Sequence, residues 1–312
     1  MATAGIPFTG LIAPVSGQRP PSNFFAKYSG IVILRDNFTL TTLLCFGALI
    51  QSLLFFTIGR LAVLPAVAYL LWRTLRAYAM TVGWLHNSYM DNVKLGKASA
   101  QFPDAEGNFS SKPADDDIVV FLIGTRVNHP MGLLAPGFKD LGDMFTQMAK
   151  DCDDHAEEFG FLGMTSWISN GLRDTNNELL IVGYFRTPEG LHNFAHSKYH
   201  TDAWAWWNTN HKTHPHLSIY HETYDVPKVS IASYLRMWNY LLTLFQGHWE
   251  TIYINSHPSH LGSASFKVYD SEKGEEVWRS GLVDASKGAL RTSKGRMSRS
   301  KGDENDHFKE KY

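Results

Sequence analysis

Ile118-Val119-Val120-Phe121-Leu122-Ile123 is an unbroken apolar run that follows a polar stretch. A run this short and continuous reads as a buried strand. Downstream, Leu141, Met144, Phe145 and Met148 recur at helical spacing within Phe138 to Cys152. Met164 to Ser169 and Glu178 to Phe185 read as two further strands, joined by the turn-rich Arg173-Asp174-Thr175-Asn176-Asn177. Thr187-Pro188-Glu189 opens a second helix with an N-cap threonine and proline at its first position, continuing directly or through a successor to Trp207. Leu217 to Val226 is the fourth strand. The order β-α-β-β-α-β makes this an α+β, ferredoxin-like unit. One such unit leaves a sheet face open, and a second copy is a common way to cover it, so a homodimer is expected.

Upstream lies a different kind of sequence. Phe38 to Ile58 is 21 residues without a charge. As a helix it would be roughly 31 Å long, against a hydrocarbon core of about 30 Å. A second apolar run, Leu61 to Trp72, contains Pro65 and is too short to span alone. It becomes the returning arm of a hairpin if Arg73 and Arg76 snorkel and the helix extends towards Trp84. The expectation is therefore one transmembrane helix, 38–58, or a hairpin with 61–84. A cleaved signal peptide would have its apolar run nearer the N-terminus. In a hairpin, Arg19, Lys27 and Arg35 on one flank and Arg73 and Arg76 on the other all face the cytosol, as the positive-inside tendency asks.

The whole chain then divides into a flexible segment 1–37, an anchor 38–86, a linker 87–116, a domain 117–265 with a C-terminal appendix, and a disordered polar tail 266–312. Lys287 to Lys301 holds six basic residues and no acidic one, which would add adhesion to anionic headgroups. The formal net charge of −1 gives no electrostatic case for a nucleic-acid partner. Two cysteines, Cys45 and Cys152, make no disulfide framework, and a cytosol-facing domain is the simpler reading.

Two constellations could carry chemistry. His192, His196 and His200 are four apart and would share one face of an unbroken helix. Zinc is disfavoured, since Asn193 stands where the usual motif has a glutamate base, and a solvent-facing stripe is the plainer alternative. The second is Tyr220-His221-Glu222-Thr223-Tyr224. Alternation sets His221 and Thr223 on one face and Tyr220, Glu222 and Tyr224 on the other. These residues line a pocket or sit on a solvated face. Arg126, Asn128, Glu250 and Tyr253 could supply charge and hydrogen bonds. There is no phosphate loop, nucleophile elbow or dinucleotide fingerprint.

Ile123-Gly124-Thr125-Arg126-Val127-Asn128, Phe194-Ala195, Ala203-Trp204, His221-Glu222-Thr223-Tyr224 and Trp249-Glu250-Thr251-Ile252-Tyr253-Ile254-Asn255 together resemble the recurring blocks of a fungal membrane-associated monooxygenase family of the fumagillin-cluster type. The resemblance covers roughly residues 115 to 262, with Tyr220 where the family pattern has tryptophan. It implies the antibiotic-biosynthesis-monooxygenase-like, dimeric α+β barrel superfamily. It further implies an oxygen-using oxidoreductase acting on a lipophilic polyketide or terpenoid in secondary metabolism, at the endoplasmic reticulum membrane. Cofactor-free members let a deprotonated substrate react with oxygen, which requires a base and an anion stabiliser. His221 is the expected base, because imidazole titrates near neutrality, and Arg126 the stabiliser. Glu222 would orient the imidazole or fix Arg126. Tyr224, Trp204 and Tyr253 would shape the pocket, with Asn128 and Glu250 on the substrate. The rival readings are a haem enzyme of the same fold, aldoxime-dehydratase-like, with His200 or His196 as axial ligand, and a non-catalytic lipophile-binding protein.

Overall fold

A computed structural model describes residues 6–22, 37–168, 178–226 and 249–297. The basic residues Lys27 and Arg35, the 173–177 turn, the first part of the appendix and residues 298–312 lie outside them. Ten strands occur among the described residues: β1 (Val15–Ser16), β2 (Lys94–Ala100), β3 (Ile118–Val127), β4 (Phe161–Ile168), β5 (Glu178–Phe185), β6 (Leu217–Val226), β7 (Tyr253–Ser256), β8 (Ser265–Asp270), β9 (Glu275–Ser280) and β10 (Leu282–Asp284). The helices are α1 (Leu40–Ile58), α2 (Leu64–Thr81), α3 (Phe138–Asp154), α4 (Pro188–His196), α5 (Lys198–Asn210) and the short α6 (Ser293–Arg296).

Strands β3 to β6 form one antiparallel sheet in the order β4-β5-β3-β6. With α3 between β3 and β4, and α4 and α5 between β5 and β6, this is the β-α-β-β-α-β arrangement read from the sequence. The apolar run opens β3, which pairs on both edges, with β5 and with β6. Its odd-numbered residues Val119 and Val127 enter a core with Leu141, Phe145 and Ala149 of α3, Ile181 and Phe185 of β5, and Phe194 of α4. Thr187 caps α4 as expected, its Oγ1 accepting the Gly190 N–H at 3.1 Å. The second helix does not run unbroken to Trp207. Ser197, extended at ψ 160°, separates α4 from α5 between His196 and His200.

Three expectations about the rest of the chain are corrected. The linker contains β2, whose Ala98, Ser99 and Ala100 are buried between β10 and β7. Its small side chains carry no large-apolar periodicity, which is why it reads as a connection. The tail is folded through residue 297: β8 and β9 form a hairpin closed by Gly274, at φ +69°, and Phe266, Val268 and Val277 point inward. Its polar composition belongs to the outward positions of that hairpin and its turn. Residues 6–22 are not a loose leader, for Val15 and Ser16 pair with Trp278 and Val277, and Phe8 packs against a cluster of Val283, Ala285 and Leu290. Together these pieces make a second layer. Its core of Phe102, Leu261, Phe266 and Val277 takes Ile118, Leu162, Tyr184 and Val226 from the far side of the main sheet. The chain thus covers by itself part of the face expected to be open.

The segment 38–86 contains one helical stretch, Leu40–Thr81, long and apolar enough to cross a membrane. Inside it, α1 and α2 are separated by a 3₁₀ turn, Gly59–Val63.

Arg19 locks the two layers together. It forms an ion pair with Asp153 and donates to the Leu162 carbonyl at 2.8 Å, with its guanidinium over the rings of Phe161 and Trp278. Both partners are nearly enclosed, at 7% and 10% side-chain exposure. Removing one partner of such a pair leaves a buried charge without a counter-ion. Arg19→Ala should therefore cost about 3–5 kcal/mol in denaturant unfolding of the full chain. Arg19→Met combined with Asp153→Leu should recover most of that loss.

Candidate active site

The helices do not close down on the whole sheet. Between them and its surface lies a cavity of about 540 Å³. Phe121 and Ile123 of β3 and Ile219, His221 and Thr223 of β6 form its floor. Met144 and Met148 of α3 supply one wall, while Leu191, His192 and His196 of α4, with His200, Ala203, Trp204 and Trp207 of α5, supply the other. The lining is apolar except for four imidazoles and a hydroxyl, the composition of a site for a lipophilic small molecule. A larger groove of about 770 Å³ runs along the seam under residues 17–21, but its lining is rich in charged side chains, several of them in ion pairs, as Arg19 with Asp153 and Lys267 with Glu157.

Strand alternation decides which expected residues reach the cavity. His221 does, its ring 5.9 Å from that of Phe121. Trp204 and His200 do, their ring centroids 6.1 Å apart, and half of Trp204 is exposed at the rim. All three histidines of the run line the cavity despite the break at Ser197. Burial lowers the His200 pKa; a contact with the Ala195 backbone opposes this, and His196 and His221 reinforce it. The ring is therefore neutral at physiological pH, and its buried Nδ1 has no hydrogen-bond partner among the described residues.

The other expected residues lie elsewhere. Arg126, Glu222 and Tyr224 are on the opposite face of the sheet. There the Tyr220 ring covers Gly124, so closely that a β-carbon on Gly124 would come within 2.3 Å of it. The Tyr220 hydroxyl donates to Glu178 at 2.8 Å, and its pKa is pushed up to about 12 by burial and then by that carboxylate. Tyr224 donates to Glu222 at 2.6 Å. His221 and Arg126, expected to act as a pair, are thus separated by the sheet. Asn128 directly follows β3, its N–H bonded to the His216 carbonyl. Glu250 holds α6 in place, accepting from Arg296 Nε at 3.0 Å and Ser293 Oγ at 3.1 Å. Tyr253 is half-buried, its hydroxyl accepting the Gly262 N–H at 2.9 Å, and desolvation raises its pKa. None of these three lines the cavity.

Met144, Met148 and Ile219 were not singled out from the sequence as site residues, whereas Thr223 was placed beside His221 by alternation. The methionines carried a signal, since the spacing of α3 lists them beside Leu141 and Phe145. A helix face reads as core whether it packs solidly or borders a cavity.

The sequence profile of the family described as Monooxygenase af470-like matches residues 118–242, which take in every strand of the main sheet. Monooxygenase af470 of Aspergillus fumigatus is 32% identical over 290 residues, covering 93% of this chain and 97% of its own length. The chain belongs to this monooxygenase family. Among solved structures, the cofactor-independent oxygenase SnoaB of Streptomyces nogalater aligns at 15% identity and a TM-score of 0.25, over 35% of this chain and 91% of its own. An aldoxime dehydratase aligns at 14% identity and a TM-score of 0.31, over 43% of this chain and 36% of its own. As a member of a monooxygenase family, the chain is an oxidoreductase.

Filling the cavity should abolish its capacity for apolar ligands without unfolding the sheet. Ala203→Trp is expected to remove the fluorescence enhancement of an apolar dye bound to the full chain in detergent, with far-ultraviolet circular dichroism unchanged. Undiminished dye binding would place the ligand site elsewhere.

Proposed function

We propose that the chain is a membrane-anchored monooxygenase that oxidises a lipophilic polyketide or terpenoid intermediate of secondary metabolism, with molecular oxygen as co-substrate. The observation that carries this reading is the apolar cavity with His221 on its floor and a neutral His200 beside it. A neutral imidazole can take a proton, and an apolar surround favours a substrate whose charge appears only on deprotonation. His221 is the base. It removes a proton from an acidic methylene, and the carbanion reacts with oxygen. The reaction balances without an outside reductant: the methylene loses both hydrogens and gains one oxygen as a carbonyl, and the second oxygen leaves as water.

The neighbouring imidazoles and the Thr223 hydroxyl are the polar groups among the residues that line the cavity, so the stabiliser of the developing anion belongs among them and not with Arg126. His221→Ala should then lower turnover by about 10² to 10⁴, the usual worth of a general base. His192→Ala and Arg126→Ala should each change it by no more than several-fold. Full loss in Arg126→Ala with an intact fold would return the anion site to the opposite face.

A haem enzyme is the second reading, favoured by the unpartnered Nδ1 of a neutral His200. His200 would hold the iron, and bound haem would supply an oxygen-binding metal centre. A Soret band in the purified full chain, absent in His200→Ala, would establish it.

Leu40–Thr81 supports the anchor, and our reading puts it in the endoplasmic reticulum with the catalytic domain in the cytosol. The chain should stay in the membrane pellet through alkaline carbonate; its release would remove the anchor from the account. A homodimer through the part of the sheet face left uncovered, where Tyr220, Tyr224 and Trp167 are exposed, completes the proposal.

A further inference from the structure

The helical stretch Leu40–Thr81 leaves and re-enters one folded body. Upstream of it, the Leu11 N–H donates to the Leu282 carbonyl and the Asp284 N–H to the Thr9 carbonyl, both at 2.9 Å, and Val15 and Ser16 pair with β9. Downstream of it, β2 is the central strand between β10 and β7. A chain that crosses a bilayer once leaves its flanks on opposite sides, and backbone pairing of this kind cannot be made through hydrocarbon. The number of crossings between the two flanks is therefore even.

A turn from which the chain can reverse, as an even number requires, is present. Gly59 ends α1 at φ +61°, and the 3₁₀ turn after it folds back until Gln51 Nε2 donates to the Ala62 carbonyl at 3.0 Å. Along a straight helix these residues would stand about 16 Å apart. Ala62 is fully buried by the turn, whereas no residue of α1 or α2 is buried. Each helix, at 19 and 18 residues, is about 27–28 Å long and so approaches the roughly 30 Å hydrocarbon core. Arg60 lies at the tip of the turn, and Arg73 and Arg76 lie in the half of α2 nearer the domain.

We infer that Leu40–Thr81 is a two-crossing hairpin that enters and leaves the lipid bilayer through the same face, with the Gly59–Arg60 turn at the opposite headgroups. This rests on the membrane anchoring proposed above and gives it a topology. Residues 6–22 and 94–297 share the entry side, and Arg73 and Arg76 snorkel toward it. Trp84 and Leu85, just past α2, and Leu95 and Ile254 on the neighbouring strands are exposed apolar side chains that lie against that surface.

Impermeant-maleimide labelling of the full chain in sealed vesicles tests this. Gln18→Cys, Leu61→Cys and Lys273→Cys are made singly in a Cys45→Ala chain, Cys152 being buried. Gln18→Cys and Lys273→Cys should be labelled, or protected, together. Leu61→Cys should show the opposite behaviour, before and after permeabilisation of the vesicles. Positions 18 and 273 on different sides would overturn the hairpin and restore a single crossing. Labelling of position 61 from the same side as the other two, or from neither side, would overturn the second crossing and leave the helices lying in one leaflet. Release by alkaline carbonate would overturn the anchoring itself, an outcome distinct from either of these.

Discussion

The fold depends on β3 being covered on both of its faces. A strand with this continuous apolar sequence gains from apolar contacts on both of its sides. On one side α3, α4 and α5 cover it, and Val119 and Val127 are fully buried there. On the other, Ile118 enters a separate core assembled from pieces that lie far apart in the chain: residues near 100, the segment 261–277, and, through β1, the residues before α1. Because both flanks of the helical stretch Leu40–Thr81 belong to this second layer, that stretch is an excursion from the layer and not a tether hung on a finished domain.

The same sheet sorts the polar residues of β6 by face. His221 and Thr223 meet the cavity, while Tyr220, Glu222 and Tyr224 form hydrogen bonds with each other and with Glu178 on the far side. The cavity is thereby an apolar space whose ionisable groups are imidazoles. Burial lowers the pKa of one of them, His200, and holds it in the form that accepts a proton. A site of this composition suits a substrate that arrives uncharged and becomes an anion only in place.

Much of this was legible in the sequence. β5 and β6 have the limits that the patterning indicated, because each is an apolar or alternating run closed by turn residues. β2 and β10 were not legible, since Ala98 faces Asp284 and Ser99 faces Val283 across most of the chain, and nothing local marks such short strands of small side chains. At the site, His221 was readable from residue type and strand alternation; Trp204 and His200 entered through the family resemblance, and the histidine run, read from spacing as a solvent-facing stripe, lines the cavity instead. Arg126 was misplaced as the partner of His221. Alternation gives the sidedness within each strand, but only the register across β3 and β6 shows that Arg126 and His221 fall on opposite faces. Glu250 and Tyr253 resemble site residues because each carries a polar group, and both engage it with the backbone or side chains of their own layer.

The central claim, that the cavity supports direct oxygenation of a lipophilic substrate, is tested most directly by the fate of isotopically heavy dioxygen. Membranes carrying the full chain would be given the intermediate that accumulates when the gene is deleted, with no added reductant. The account predicts one heavy oxygen atom in the product and the other in water, at equal rates. Product oxygen drawn from solvent water, or an intermediate left unchanged while the membranes are fully aerated, would contradict it.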